Sequence, residues 1–432
     1  MGEKQQGRVT RRRRRRDKRR QRRRIFASRY FNVFLRLTLG PYLCRLYRLK
    51  VNGRKQVAGL KPPFVVMANH GCVWDPFFLN NYVPRPIHYV VSDSNFRSRV
   101  MDFGLSLVGS IPKTKVMSDL ETVKNIVRVK DRNGVVGIFP EGQSTWDGTT
   151  LPIYPSTAKL LKVLRVPVVF ARIQGAFLSR PRWSHKPRKG RIEIDYTVGF
   201  RGPELRKMPV QEVHERIVQH LSHNESEYNR SRRIRFRGVK RAEYMEIVLF
   251  LCPECKAQGT LHSHGNRLSC GNCGYEVYVN EFGLFEQRSD TFHFETIDSW
   301  NRWQTETFRS MIDVRFHGND ESVVMYDRDV LVETGYKSLP TEKLARGDMH
   351  LFLDRIEVRP TGTESLITLP VADIAGINVQ NRERLEFYVD DTLYKITSKD
   401  PRGCTYKWDV AVRHIQELAQ AMGSPVPKAA EQ

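Results

Sequence analysis

The chain has 432 residues, of which 72 are Lys or Arg and 47 are Asp or Glu, giving a net charge of +25. That length exceeds what one small core needs and leaves room for two or three domains. No uninterrupted apolar run reaches the roughly 20 residues that crossing a bilayer requires. The long basic start, followed by apolar segments that carry arginine, does not fit a secretory leader.

Nearly half of the charge lies in residues 1–24, where fourteen Lys or Arg stand against two acids and Arg11–Arg16 form an unbroken run. Such a block repels itself and is expected to be a disordered tail until an anionic surface receives it. Nucleic acid and an anionic membrane face both qualify. The next stretch favours the membrane. In IFASRYFNVFLRLTL, Phe26, Tyr30, Val33 and Leu37 share one helical face, widened by Phe31 and Phe34, with Ser28, Arg29, Asn32 and Arg36 opposite. Gly40-Pro41 interrupts the pattern and YLCRLYRL resumes it. Residues 25–50 are therefore expected to be amphipathic helices lying on a membrane, peripheral and at the cytoplasmic face of the cell membrane. The plain alternative is a surface helix packed on the domain behind it.

From 51 to 230 short apolar runs alternate with amphipathic ones. PFVVMANH, IHYVVSD, VVGIFPEG, VPVVFARI and RIEIDYTVGF read as strands. PFFLNNYV, FRSRVMDFGLSLVG, SDLETVKNIVRVKDRNG (with a capping box at Ser118 and Glu121) and STAKLLKVLR read as helices. This alternation predicts an α/β layered fold with a largely parallel sheet, whose ligand sites gather where strands end. His70 stands at one such end and Glu141-Gly142 at another.

The pair His70 and Asp75, in NHGCVWD, has the composition of a general base with its orienting carboxylate. Five residues apart on one helix they would diverge by about 140°, so a turn must separate them. Asp75-Pro76 supplies it, an N-cap followed by a good first helical residue. Capping alone is also a sufficient reason for Asp75. Downstream follow GSIPKTK at 109–115, FPEGQST at 139–145 and VPVV at 166–169.

In that order these four blocks resemble the glycerolipid acyltransferases of the lysophosphatidic acid (1-acylglycerol-3-phosphate) acyltransferase type, over roughly residues 30–230. The resemblance implies that His70 takes the proton from a lysophospholipid hydroxyl, that Asp75 fixes and charge-balances the imidazole, and that the oxygen attacks an acyl thioester delivered by acyl-CoA or acyl carrier protein. The product would be phosphatidic acid if the acceptor is lysophosphatidic acid. It also implies that the second and third blocks hold the acceptor phosphate. Lys115, with Lys113 beside it, stands where the family usually has Arg, and lysine binds phosphate as a point charge without the fork. Glu141 would orient a lysine or hydroxyl while the amide of Gly142 approaches the anion. The family often follows Glu-Gly with Thr-Arg-Ser, whereas Gln143, Ser144 and Thr145 stand here. The loop SRPRWSHKPRKGR, 179–191, reads equally as a grip for phosphates and as a solvated hairpin.

Beyond residue 230 a basic linker (231–247) leads to CPEC at 252–255 and CGNC at 270–273. Two Cys-x-x-Cys knuckles fourteen residues apart have zinc-ribbon spacing, so Cys252, Cys255, Cys270 and Cys273 are expected to hold one structural Zn²⁺ within a module at 248–285. Residues 286–432 carry several alternating segments and a last amphipathic helix, KWDVAVRHIQELAQAM. They are expected to form a smaller β-rich domain, PH-like in outline and without a catalytic constellation. The expected partners are an anionic membrane surface, the lysophospholipid acceptor and the acyl donor, with nucleic acid disfavoured. The competing reading is a non-catalytic lipid- or nucleic-acid-binding protein that uses the tail and the ribbon.

Overall fold

The structure, a computed structural model, describes residues 26–114, 120–318, 320–362 and 365–423. The basic tail, Lys115 and Ser118 lie outside them. Ten helices are used below: α1 (Arg29–Leu37), α2 (Leu39–Leu46), α3 (Asp75–Asn80), α4 (Arg99–Leu107), α5 (Leu120–Asp131), α6 (Pro155–Leu164), α7 (Val210–Leu221), α8 (Glu225–Arg232), α9 (Ile297–His317) and α10 (Tyr406–Ala421).

The first sheet is the largely parallel one expected, with two strands, Lys50–Asn52 and Ile111–Lys113, beyond the five read from the sequence. Its strands β1 (Lys50–Asn52), β2 (Phe64–Ala68), β3 (Ile87–Ser92), β4 (Ile111–Lys113), β5 (Val135–Ile138), β6 (Val168–Gln174) and β7 (Glu193–Phe200) lie in the order β1-β7-β6-β2-β5-β3-β4. Every neighbouring pair is parallel except β6 with β7. Strand β2 explains its own sequence. Phe64, Val66 and Ala68 enter one core, while Val65 and Met67 enter the other. A strand covered on both faces reads as a continuous apolar run rather than an alternating one.

Two antiparallel sheets follow. Strands β8 (Leu261–His264), β9 (Arg267–Cys270), β10 (Glu276–Val279) and β11 (Phe285–Gln287) form a small four-stranded sheet beside the four knuckle cysteines. Strands β12 (Met325–Gly335), β13 (Glu342–Leu351), β14 (Arg355–Pro360), β15 (Ile367–Pro370), β16 (Ile374–Gln380), β17 (Arg384–Val389) and β18 (Thr392–Ser398) form a seven-stranded half-barrel, ordered β15-β14-β13-β12-β18-β17-β16, with α10 against it. The segments MHLFLDRIEVR and RLEFYVDDTLYKITS each fold as two strands around a tight turn. Helix α9 was not foreseen. Thr296 caps it through its hydroxyl, and Trp300, Gln304, Phe308 and Ile312 bury one stripe at four-residue spacing. Gln304 accepts from the amide of Phe250 (2.9 Å) and donates to Val248 O (2.8 Å), which fixes the approach to the first knuckle.

The expected basic linker at 231–247 is packed chain. Phe236 is buried, its amide donates to Glu281 O (2.7 Å), and Arg237 pairs with Lys189. One continuous apolar core takes Trp146, Phe177, Leu178 and Trp183 from the first sheet's loops, Leu261 and Tyr275 from the small sheet, and Trp300, Phe387 and Trp408 from the C-terminal half.

Candidate active site

The turn after β2 is built one residue at a time. Asn69 is buried; its carboxamide donates to Ile173 O (2.8 Å) and accepts from Ile173 N (2.7 Å). It mimics a peptide group and prolongs the β2–β6 ladder by one step after the backbone has turned away. His70 comes next. Its Nδ1 lies 2.8 Å from Asp75 Oδ2, and its ring stacks on Phe139 at 4.4 Å between centroids.

Asp75 is completely buried. The same Oδ2 accepts from the amides of Gly71 (2.7 Å) and Cys72 (2.9 Å), and the Cys72 thiol reaches Oδ1 at 3.3 Å. Asp75 therefore does not cap α3: the helix begins at Asp75 itself, Trp74 holds the cap position, and the carboxylate reaches back into its own loop. Burial beside this carboxylate pushes the Cys72 thiol well above its usual range.

The Phe139–Gly142 turn carries a second buried carboxylate. Glu141 Oε1 accepts from the backbone N–H of His70 and Oε2 from that of Leu151, both at 2.7 Å. Thr145 N in turn donates to His70 O (3.0 Å). Burial pushes the Glu141 carboxyl up to about 8, against the pull of its two N–H donors. Two expectations are corrected here. Among the described residues Glu141 is held by two backbone amides rather than by a lysine or hydroxyl, and it ties the backbone of the His70 turn to the loop at 151. Nor is the amide of Gly142 free for an anion, because it donates to Phe139 O (3.1 Å) within the turn. Gly142 is needed for its φ of +72°, a left-handed conformation that a side chain disfavours. Lys113 is exposed at the end of β4, on the same sheet edge as His70 but three strand spacings, about 14 Å, from β2.

Other residues at the site were not singled out from the sequence. Arg182, half-buried, donates to Gln143 Oε1 (3.0 Å) and Ser144 O (3.1 Å) on one side and to Asn381 O (2.6 Å) and Val379 O on the other, with its guanidinium over Trp146 at 3.9 Å. The loop 179–191 is thus no solvated hairpin: Trp183 and Arg188 are buried. Asp147 accepts from Thr149 N (2.9 Å) and from Asn301 of α9 (2.8 Å). Glu225, at the start of α8, accepts from Gly175 N (2.7 Å), and a Cβ on Gly71 would meet the adjoining Ala176 at 2.9 Å. Apart from the local contact of Asp147 with Thr149, each of these spans tens to more than a hundred residues of sequence, so no local spacing signals it.

The four knuckle sulfurs converge. Cys252 and Cys273 are 3.6 Å apart, Cys255 and Cys270 3.8 Å, and all four ligand atoms lie within 4.8 Å of one another. A tetrahedral ion with Zn–S bonds of ~2.3 Å sets its sulfurs about 3.8 Å apart, so this group fits one metal ion.

Residues 48–173 match the Acyltransferase family model. Among solved structures, the 1-acyl-sn-glycerophosphate (LPA) acyltransferase PlsC from Thermotoga maritima is similar at 15% identity, over 45% of this chain and 83% of that one, with a TM-score of 0.36. A chain of the 8S snRNP assembly intermediate is similar at 12% identity, over 22% of this chain and 81% of that one, with a TM-score of 0.18. The matched segment holds both the His70–Asp75 turn and the Glu141 turn, and residues 48–173 are an acyltransferase-family domain.

Proposed function

We propose that the protein transfers a fatty acyl group from an acyl thioester, carried by coenzyme A or acyl carrier protein, to the hydroxyl of a lysophospholipid, with lysophosphatidic acid as the acceptor and phosphatidic acid as the product. The observation that carries this reading is the 2.8 Å contact between His70 Nδ1 and a buried Asp75 already held by two loop amides. With Nδ1 committed, Nε2 is the nitrogen that takes the acceptor proton. The alkoxide oxygen forms the new C–O bond at the thioester carbonyl, the C–S bond breaks, and the imidazolium returns its proton to the departing thiolate. Asp75 balances the charge on the ring during that interval. Lys113 and Lys115 are the proposed point-charge contacts for the acceptor phosphate.

The site would work at a membrane surface. Helix α1 turns its polar side inward: Asn32 donates to Asn80 Oδ1 (3.3 Å) and Arg36 to the carbonyls of Val83, Pro84 and Arg85. Tyr30 is 89% exposed, and Val33, Phe34 and Leu37 face outward with it. An ordinary packed surface helix has the opposite arrangement. No helix among the described residues is long and apolar enough to cross a membrane, which agrees with peripheral attachment. Cys252, Cys255, Cys270 and Cys273 would hold one Zn²⁺ whose chemistry is to cross-link the two knuckles. With four protein ligands that site is closed and structural.

The test is transfer of labelled acyl groups from acyl-CoA and from acyl carrier protein to lysophosphatidic acid on liposomes. Transfer by the parent and its loss, by at least about 10³-fold, in His70→Ala are expected. Equal transfer by both would overturn the mechanism.

A further inference from the structure

Helix α4 is inside-out. Its sole buried residue is Asp102, while Val100 is 85% exposed, Phe103 67% exposed, and Met101 lies open beside them. A helix that stops at water buries its apolar stripe and exposes its charges. Here the carboxylate points into the protein and the apolar side chains point away from it. The same inversion marks α1, whose sole buried residue is Asn32. The two helices are joined end to end. The amide of Ser28, the residue that caps α1, donates to the carbonyl of Leu107, the last residue of α4, at 2.8 Å. The turn after α4 is pressed against the same point, since a Cβ on Gly109 would meet Ala27 N at 2.4 Å. Two helices distant in sequence thus share a junction and one anomaly.

We propose that α4 is a second lipid-contacting element, continuous with α1, and that Val100, Met101 and Phe103 insert into the interfacial region of an anionic bilayer. The choice of a lipid surface over a protein partner or a second copy rests on charge. In the sequence the fourteen basic residues of the first twenty-four end two positions before Phe26, which leads into α1, and exposed Arg29 and Arg99 stand beside the apolar residues. A protein face offers apolar contact, but an anionic bilayer offers apolar depth and a sheet of negative charge together. The inference rests on the membrane-surface part of the proposed function and is independent of acyl transfer.

The experiment uses the full chain and vesicles of three parts phosphatidylcholine to one part phosphatidylglycerol, with binding read by co-sedimentation. The double variant Val100→Ser/Phe103→Ser is expected to bind about 10- to 100-fold more weakly than the parent, with an unchanged near-ultraviolet circular dichroism spectrum. In a second variant, Phe103→Trp keeps the bulk of the side chain. Its added fluorescence is expected to shift to shorter wavelength on vesicles and to be quenched by lipids brominated on the acyl chain. Unchanged binding by the double variant, or a Phe103→Trp emission indifferent to brominated lipid, would overturn the proposal. So would a parent that dimerises in the absence of lipid and becomes monomeric in the double variant, because a second copy would then be the occupant. His70→Ala is expected to bind vesicles as the parent does, so a failure of the catalytic reading leaves this result readable.

Discussion

Three donors converge on one oxygen of Asp75: His70 Nδ1, Gly71 N and Cys72 N. An asparagine can present its carbonyl oxygen to the same donors and its amide to the Cys72 sulfur. Asp75→Asn is therefore expected to keep the turn and lose only the charge, lowering kcat by about 10²–10⁴-fold with little change in melting temperature. Asp75→Ala strands two buried amides and is expected to cost about 2–5 kcal/mol of stability as well, which denaturant titration would show. Glu141 makes a pH-dependent contribution. The folded chain holds its proton more tightly than the unfolded chain, at about 8 against 4.5. The stability this group supplies is therefore complete below about pH 4.5 and is lost as pH rises through about 8. Glu141→Gln is expected to cost about 1–3 kcal/mol at pH 5, because its amide nitrogen faces a donor, and to flatten the fall in melting temperature between pH 5 and pH 9. His70 and Asp75 were legible in the sequence because five residues and a proline specify the turn between them. The partners of Glu141 were not, since nothing near residue 141 indicates that residues 70 and 151 arrive beside it.

Secondary structure divides by the same rule. The strands β2, β3, β5 and β6 follow from local hydrophobic pattern, because each is buried by its immediate neighbours. Helix α9 escaped notice because its buried stripe includes a polar residue, Gln304, whose partners lie fifty residues upstream. The loop at 179–191 was left open between two readings for a similar reason: Arg182 and Arg188 donate to carbonyls that lie tens to hundreds of residues away. Arg182→Lys offers the four carbonyl and amide oxygens around residue 182 no planar fork. It is expected to lower stability by about 2–3 kcal/mol in thermal melts and to raise KM for the acceptor more than it lowers kcat, since the loop at 143–145 would lose its anchor. In the knuckle segment, metal analysis of the purified protein is expected to find one zinc per chain. Cys252→Ser/Cys273→Ser should abolish it and lower the melting temperature, since a structural site couples metal binding to folding.

At the scale of the whole molecule, the three sheets were foreseeable as separate pieces, but their union was not. Trp146 and Phe177, from the family-matched segment or just beyond it, lie in the same core as Trp300 and Trp408. Arg97 donates to Lys337 O (2.9 Å) and pairs with Glu386 (2.5 Å) across the same seam. A chain ended near residue 243 would expose these aromatic rings, and it is expected to aggregate on expression, with no cooperative melting transition where the full chain shows a single one. The shared core also bears on what can be removed from the chain. A catalytic cassette that can be lifted out and recombined has its own closed surface, as a coin does. Here the shared core leaves the family-matched segment without such a surface, so loss of the C-terminal segment would strip packing from that segment rather than trim an accessory from it.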